Sequence, residues 1–484
     1  IVEVESDITK GLPSFTVVGL ANKSIDESKE RVKSALTNSL MQYPARRITV
    51  NLAPAELPKD GTHYDLPIAL AVLTSSGQLR PNDVTEAVFA GELALDGSIR
   101  PVSGAINIAE AARSVGISSV YLPAGNLPQA KLVEGVNLIG VSSLKQLFLH
   151  LKGEAIISPT PVSAPQSSVT SNDELVLDDI SGQVQAKRAL IIAAAGRHNL
   201  LMSGPPGAGK TMLGKVLAGL LPDMTTGEQL EATKLHSLAG ELLEERVSIR
   251  PFRSPHHTTS CAALIGGGTR PKPGEVSLAH LGVLFLDEAP EYPRATLESL
   301  RQPLEDREVS ISRAGGRARY PANFLLVATM NPCPCGYYGD ATKECSCSSM
   351  QILNYGRKLS GPLLDRIDMK ITVARVPHSD LMADNLQSKK QHLLAKKQIQ
   401  SALELQRNRY KGSASYNSSL SNRQLRSLAM VSPEAEELLL KAASKLELSA
   451  RSTFKTLKVA RTIADLEACQ QVLAAHVSEA LQYR

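Results

Sequence analysis

The 484 residues contain no tryptophan, 7 phenylalanines, 11 tyrosines and six cysteines, and each scarcity excludes something. With aromatics at 4%, no stacked aromatic platform of the kind that grips single-stranded nucleic acid is evident. Six cysteines in so long a chain do not make the disulfide framework of a small secreted scaffold. No apolar run reaches the roughly 20 residues that cross a bilayer, so no membrane partner is expected. The formal net charge of +5 is too small to demand a nucleic-acid partner. It is uneven, however: Asp384 to Arg484 holds 16 Lys+Arg against 9 Asp+Glu, a net +7 that leaves −2 for the rest. Such a segment is either a set of solvated helix faces or a contact for an acidic polymer. The first residue is Ile1 rather than Met, which leaves the true N-terminus open.

At 43% apolar and 21% charged residues the composition is that of a globular chain, and the length calls for two to four domains. The strongest signal lies at its centre. Leu200 to Met202 read as a short buried strand. Gly204-Pro205-Pro206-Gly207-Ala208-Gly209-Lys210-Thr211 then matches G-x-x-x-x-G-K-[ST], and a helix follows from Met212. In that setting backbone N–H groups and the helix N-terminus cradle phosphates, Lys210 reaches the β- and γ-phosphates, and Thr211 holds Mg²⁺. A glycine-rich turn with no ligand is the plain alternative, and the strand before and helix after it favour the phosphate loop. About eighty residues on, Val283 to Leu286 are apolar and end in Asp287-Glu288. This fits a central strand delivering Asp287 to the Mg²⁺ shell and Glu288 to the attacking water. ATP and Mg²⁺ are therefore the expected cofactors.

Four cysteines fall within fifteen residues, as Cys333-Pro-Cys335 and Cys345-Ser-Cys347. Four thiolates suffice for tetrahedral Zn²⁺, although the spacing is not that of common zinc fingers, and reduced loop cysteines are the alternative. The cluster in a nucleotide-using chain argues for a reducing, cytoplasmic setting.

Elsewhere, residues 1 to about 150 alternate strand-like runs (15–20, 48–52, 136–141) with helical stretches (23–40, 66–75, 105–115), which reads as an α/β or α+β domain. Residues 153–173 hold five Ser, three Pro and two Thr and read as a linker. Helices are expected at 184–197 and 227–243, and a loop-rich stretch at 250–274. His256-His257 there is more simply a loop pair than a metal site. Residues 308–324 alternate on either side of Gly315-Gly316, as a β-hairpin with Arg313, Arg317 and Arg319 near its tip. A further strand, 324–329, brings Asn331 to a strand end suited to sensing a γ-phosphate.

Two resemblances follow from these residues. Lys59-Asp60-Gly61, Ala90-Gly91-Glu92-Leu93, Gly97 to Val102 and Tyr121 to Asn126 resemble the proteolytic domain of Lon. His63 stands where that family has its serine and Ile106 where it has its lysine. A serine–lysine dyad needs a hydroxyl and an amine, so a scaffold without protease chemistry is expected. The phosphate loop, Asp287-Glu288, Asn331, Leu364-Asp365-Arg366-Ile367-Asp368 and Ser449-Ala450-Arg451, in that order, resemble the AAA+ ATPases. The pre-sensor hairpin is similar to that of the branch holding magnesium-chelatase motors and minichromosome maintenance helicases. Over the whole chain, including Lys458 to Leu466, the likeness is to bacterial magnesium-chelatase-like proteins of natural transformation.

The resemblance implies a multidomain α/β protein: a Lon-protease-like α+β domain of the ribosomal S5 domain 2-like type (1–150), a linker (151–175), an AAA+ P-loop core (176–378) with a cysteine-rich insert (333–347), and a C-terminal helical lid (379–484). It implies a homo-hexamer in which Arg366 is an arginine finger toward the neighbouring subunit and Arg451 a second sensor. The implied activity is ATP-driven helicase-type branch migration of recombination intermediates, with branched and single-stranded DNA as partners and recombination proteins as candidate partners. The alternative is a magnesium-chelatase-type motor that remodels a protein.

Overall fold

The computed structural model describes residues 1–19, 23–57, 59, 61–159, 175–241, 246–268, 271–313, 316–340, 343–376, 389–411 and 416–484. The chain divides into two units, one of Ile1–Ser168 with Thr225–Ser248, the other of Val169–Met224 with Ile249–Arg484. Most of the expected linker, residues 160–174, lies outside the described residues, as do the core–lid boundary at 378–379, Asp60 and Gly315.

In the first unit Arg47–Ala53 is the middle strand of three, antiparallel to Glu3–Thr9 and parallel to Ser14–Val18. Ile48, Val50 and Leu52 alternate into the core as a period of two requires, beneath the helices Ser28–Asn38 and Asp65–Ser75. A second, parallel sheet is made by Ala87–Phe89, Ser119–Pro123 and Asn137–Val141. Beside it the helix Ala105–Ser114 buries Ile106 completely. The helix expected at 227–243 is Thr226–Ala239, and it belongs to this first unit. Leu230 packs on the Ile106 cluster. Ser237 Oγ accepts from the Gly104 N–H (2.9 Å) and donates to Gln129 Oε1 (2.8 Å).

The second unit is built on a five-stranded, wholly parallel sheet in the order Phe252–Arg253, Val283–Leu286, Leu325–Met330, Leu200–Ser203, Met369–Thr372. Its three central strands are apolar on both faces because both are covered, whereas the edge strand Met369–Thr372 alternates buried and exposed residues. Leu200, Met202, Val283, Phe285, Leu325, Val327, Met369 and Ile371 face one core, shared with helices Val184–Gly196 and Lys210–Leu220 and with the C-terminal helices. Leu201, Leu284, Leu286, Leu326 and Ala328 face the other. The edge strand Phe252–Arg253 and the short helix Cys261–Ile265 fall in the stretch read as loop; two residues are too few to carry a periodic signal.

The C-terminal region is helical: Lys390–Tyr410, Asn422–Leu428, Pro433–Lys445, Ala450–Leu466 and Ala474–Leu481. Arg461, fully buried, bonds the carboxylate of Asp465 (2.9 Å) and the carbonyls of Ala429, Cys469 and Gln470, while Arg409 meets the same carboxylate (2.5 Å). A buried guanidinium is tolerated here because its donors are satisfied.

Candidate active site

In an open parallel sheet, ligands sit beyond the carboxyl ends of the strands, and three candidate segments lie there. Met330 pairs with Ser203 and Leu286 with Ala328, so these strands end nearly level. The phosphate loop leaves Ser203, Asp287-Glu288 follow Leu286, and Asn331 follows Met330.

Within the loop, Gly207 and Gly209 have φ of +78° and +81°, a backbone that side chains resist. Val373 lies so close to Gly204 that a Cβ there would sit 2.3 Å from its carbonyl oxygen. Lys210 opens the following helix, and its ammonium donates to the carbonyls of Gly204 (2.6 Å) and Pro205 (3.0 Å) and to Asn331 Oδ1 (3.0 Å). Burial lowers its pKa, against the attraction of Asp287 and Glu288.

Asp287 accepts from Thr211 Oγ1 at 3.1 Å and from Thr329 Oγ1 at 2.6 Å. Thr329 in turn accepts the Glu288 N–H at 2.9 Å. Glu288 itself is exposed, with φ of +50°, and its Oε1 faces the Asn331 amide at 3.5 Å. A non-glycine residue held in the left-handed region is the kind of backbone cost that functional sites carry. A cleft of about 610 Å³ opens beside these groups, lined by Glu288, Asn331, Pro334, Tyr355 and Lys358 among others. The set offers a carboxylate and a hydroxyl for a hard cation, a cation and amides for phosphate, and an exposed carboxylate for a water. Thr329 belongs to no motif. Its one sequence signal is a hydroxyl two residues before Asn331 in an otherwise apolar strand.

Arg366 and Arg451 lie elsewhere. The Asn199 amide donates to the Arg366 carbonyl (2.9 Å) at the amino end of Leu200–Ser203, the end opposite the phosphate loop. A local pairing of the Arg366 guanidinium with Asp365 or Asp368 is not found among the described residues. Its guanidinium reaches Glu305 (2.5 Å) and the carbonyls of Arg301 and Pro362. Arg451, in the first turn of Ala450–Leu466, takes the same Glu305 oxygen at 2.9 Å. The two guanidiniums, Arg366 first, hold the Glu305 carboxyl below its ordinary range. Together they line a cleft of about 540 Å³ with Arg307, Lys455 and Lys458.

The hairpin strands pair from Glu308↔Pro321 to Arg313↔Gly316. Gly316 thus opens the returning strand rather than forming the tip, and the Arg313 side chain lies outside the described residues. Arg317 and Arg319 are exposed opposite Ser312 and Ser310, and Arg319 approaches Glu308 at 4.0 Å. The four sulfurs of Cys333, Cys335, Cys345 and Cys347 lie within 4.8 Å of one another, a candidate metal set. His256 instead bonds Thr258 Oγ1 (2.8 Å) and contacts the His257 ring. At the Lon-like positions, burial pulls the His63 imidazole down to about 4, and the amine of Lys59 is buried against the Pro54 carbonyl. No helix among the described residues is long and apolar enough to cross a membrane.

Three family descriptions match in succession: "Subunit ChlI of Mg-chelatase" over residues 4–126, "Magnesium chelatase, subunit ChlI" over 176–381, and "Magnesium chelatase, subunit ChlI C-terminal" over 391–484. The chain is 43% identical over 489 residues to "Competence protein ComM" of Haemophilus influenzae, covering 100% of this chain and 94% of that protein. It is 41% identical over 485 residues to "Uncharacterized protein YifB" of Escherichia coli, again covering 100% of this chain and 94% of that protein. A Lon protease of Leptospira interrogans is 25% identical over 210 residues, 38% of this chain and 25% of that protein. With a phosphate loop, an acidic strand end and this full-length match, the chain belongs to the magnesium-chelatase-like AAA+ family, as a homologue of competence protein ComM.

Proposed function

We propose that the protein is an ATP-hydrolysing ring motor that moves branched DNA in the recombination step of natural transformation. ATP would lie on the phosphate loop with its γ-phosphate between Lys210 and Asn331. Thr211 and Asp287 would hold Mg²⁺, and Glu288 would orient the attacking water. Lys210, now bound to loop carbonyls, would exchange those partners for phosphate oxygens.

The observation that carries the ring is the meeting of Arg366 and Arg451 on Glu305. Four strand residues, about 13 Å of chain, separate that carboxylate cluster from the same subunit's phosphate loop, more than an arginine spans. Two arginines gathered at the amino edge of the sheet therefore suit the nucleotide of an adjacent subunit. A guanidinium supplied in trans stabilises charge on the transferred phosphoryl group and is worth about 10³–10⁵ in rate. A homo-hexamer is the ring that the family resemblance favours.

For DNA the support is the name of the Haemophilus relative, the basic C-terminal segment, and the exposed Arg317 and Arg319, which suit phosphate contacts without sequence readout. Arg313 is proposed to join them. ATPase rate with and without single-stranded and forked DNA tests the reading. Stimulation by DNA is expected; a rate indifferent to DNA would transfer the motor to a protein substrate, as in a magnesium chelatase.

A further inference from the structure

We propose that Cys333, Cys335, Cys345 and Cys347 bind one zinc-class divalent cation, and that the metal-bound loop braces Asn331 and the phosphate loop from behind. The second half rests on the reading of that edge as the ATP site; the first does not.

The sulfur geometry comes first. Cys333 Sγ is 3.3 Å from Cys335 Sγ and 3.6 Å from Cys345 Sγ, and Cys335 Sγ is 3.5 Å from Cys345 Sγ. All six cysteines of the chain are free thiols. A tetrahedron with Zn–S bonds of about 2.3 Å has sulfur–sulfur edges of about 3.8 Å, so these three thiols stand slightly closer than the ligand positions they would take, and Cys347 Sγ lies within 4.8 Å of each. Four sulfurs with no carboxylate, imidazole or open position among them are the donor set of a closed structural zinc site, and soft thiolates select zinc over magnesium or calcium.

Secondary structure does little to organise the loop. Eighteen residues separate the strand ending at Met330 from the helix beginning at Ser349, with no helix or strand among the described residues between them. Loops of that length without secondary structure are uncommon in compact domains. Pro334, Glu344 and Ser346, interleaved with the cysteines, are exposed, whereas Cys333 is fully buried. The sulfurs converge on one another, with Cys335, Cys345 and Cys347 half-buried, although none of them belongs to a hydrophobic core cluster. Backbone N–H groups of Tyr338 and Cys347 point at Cys333 Sγ (3.3 Å) and Cys345 Sγ (3.4 Å), the outer-shell donors that stabilise metal-bound thiolates.

What the cluster would brace is set by its neighbours. Asn331 precedes Cys333 by two residues, and Pro334 lines the cleft that holds Glu288 and Asn331. Gly336, at φ +86°, lies so close to Pro206 of the phosphate loop that a Cβ would sit 2.6 Å from Pro206 Cδ. Arg375 pairs with Asp340 (3.2 Å) and lies over the Tyr337 ring. A metal joining 333–335 to 345–347 thus fixes the wall against which the phosphate loop rests.

Elemental analysis of the full-length chain purified without chelator should find one zinc per subunit. The Co²⁺-substituted protein should show intense thiolate-to-cobalt absorption and tetrahedral visible bands. Replacing Cys345→Ser and Cys347→Ser should abolish both. Zinc withdrawal from the wild-type protein by a thiol-reactive mercurial, followed by reduction, should lower the ATPase rate by ~10- to 100-fold through misplaced Asn331 and Pro206, with far-ultraviolet circular dichroism retained and activity restored by added Zn²⁺. Absence of metal together with six titratable thiols, or with two titratable thiols and two disulfides among the four clustered cysteines, overturns the site. Stoichiometric zinc whose removal leaves the rate unchanged overturns the bracing. If the zinc-loaded protein hydrolyses no ATP, the ATPase reading fails while the metal count still stands.

Discussion

The hydroxyl of Thr329 donates to Oδ1 of Asp287 across 2.6 Å while accepting the backbone N–H of Glu288 at 2.9 Å. One buried side chain on a neighbouring strand thereby aims both acids. Thr329→Val keeps the shape and removes the hydroxyl, leaving a carboxylate oxygen and a backbone donor without that partner. The Mg²⁺ concentration giving half-maximal ATPase activity should rise ~10- to 100-fold, as for lost outer-shell partners of metal ligands. An unchanged Mg²⁺ titration would remove Thr329 from this role.

Glu288 and Lys210 should separate hydrolysis from binding. Glu288→Gln retains size and loses the base, so it should bind ATP normally and turn over ~10²- to 10⁴-fold more slowly. Lys210→Ala should instead lose nucleotide affinity, measured by fluorescent-nucleotide titration. Near-normal turnover by Glu288→Gln would show that another group orients the water.

The Glu305 cluster predicts complementation between subunits. Arg366→Ala rings and Lys210→Ala rings should each be inactive. Mixed rings should recover part of the activity, because some interfaces pair an intact finger with an intact phosphate loop. If rings shown to be mixed stay inactive, Arg366 serves only its own subunit.

On the hairpin, Arg317→Ala with Arg319→Ala should leave basal ATPase near wild type and weaken DNA stimulation. For each arginine that no longer neutralises a phosphate of single-stranded DNA, the slope of log affinity against log salt should shrink by about 0.7. An unaltered slope would shift the DNA-binding surface to the basic C-terminal segment.

His198 makes stability depend on pH. The imidazole is fully buried, 2.7 Å from Thr462 Oγ1 and 3.9 Å from Asp368. Burial, aided by Lys458, Lys455 and Arg484 and opposed by Asp368, lowers its pKa from 6.5 to about 4. The unfolded chain therefore binds the proton first. Stability is complete above pH 6.5, falls between 6.5 and about 4, and is lower by about 3 kcal/mol at the end of that window. Urea titrations across this range should show a steeper loss for wild type than for His198→Asn; parallel curves would assign the acid sensitivity to other groups.

Features that live in short windows were legible from the residues alone. The phosphate loop was legible because its glycines, Lys210 and Thr211 occur at fixed spacing between an apolar strand and a helix. Asp287-Glu288 and Asn331 were legible because each closes an apolar run, and the hairpin because it alternates. Tertiary structure alone decided what depends on contacts between distant segments. It placed Thr226–Ala239, which follows the phosphate-loop helix, in the first unit, through Ser237 with Gln129 and Leu230 with the Ile106 cluster. It joined Arg366 and Arg451 on Glu305, set Thr329 beneath Asp287, and laid Gly336 against Pro206. Periodicity reports which face of an element is buried, but not which other element buries it. That choice is made by side-chain packing and hydrogen bonding across the whole chain.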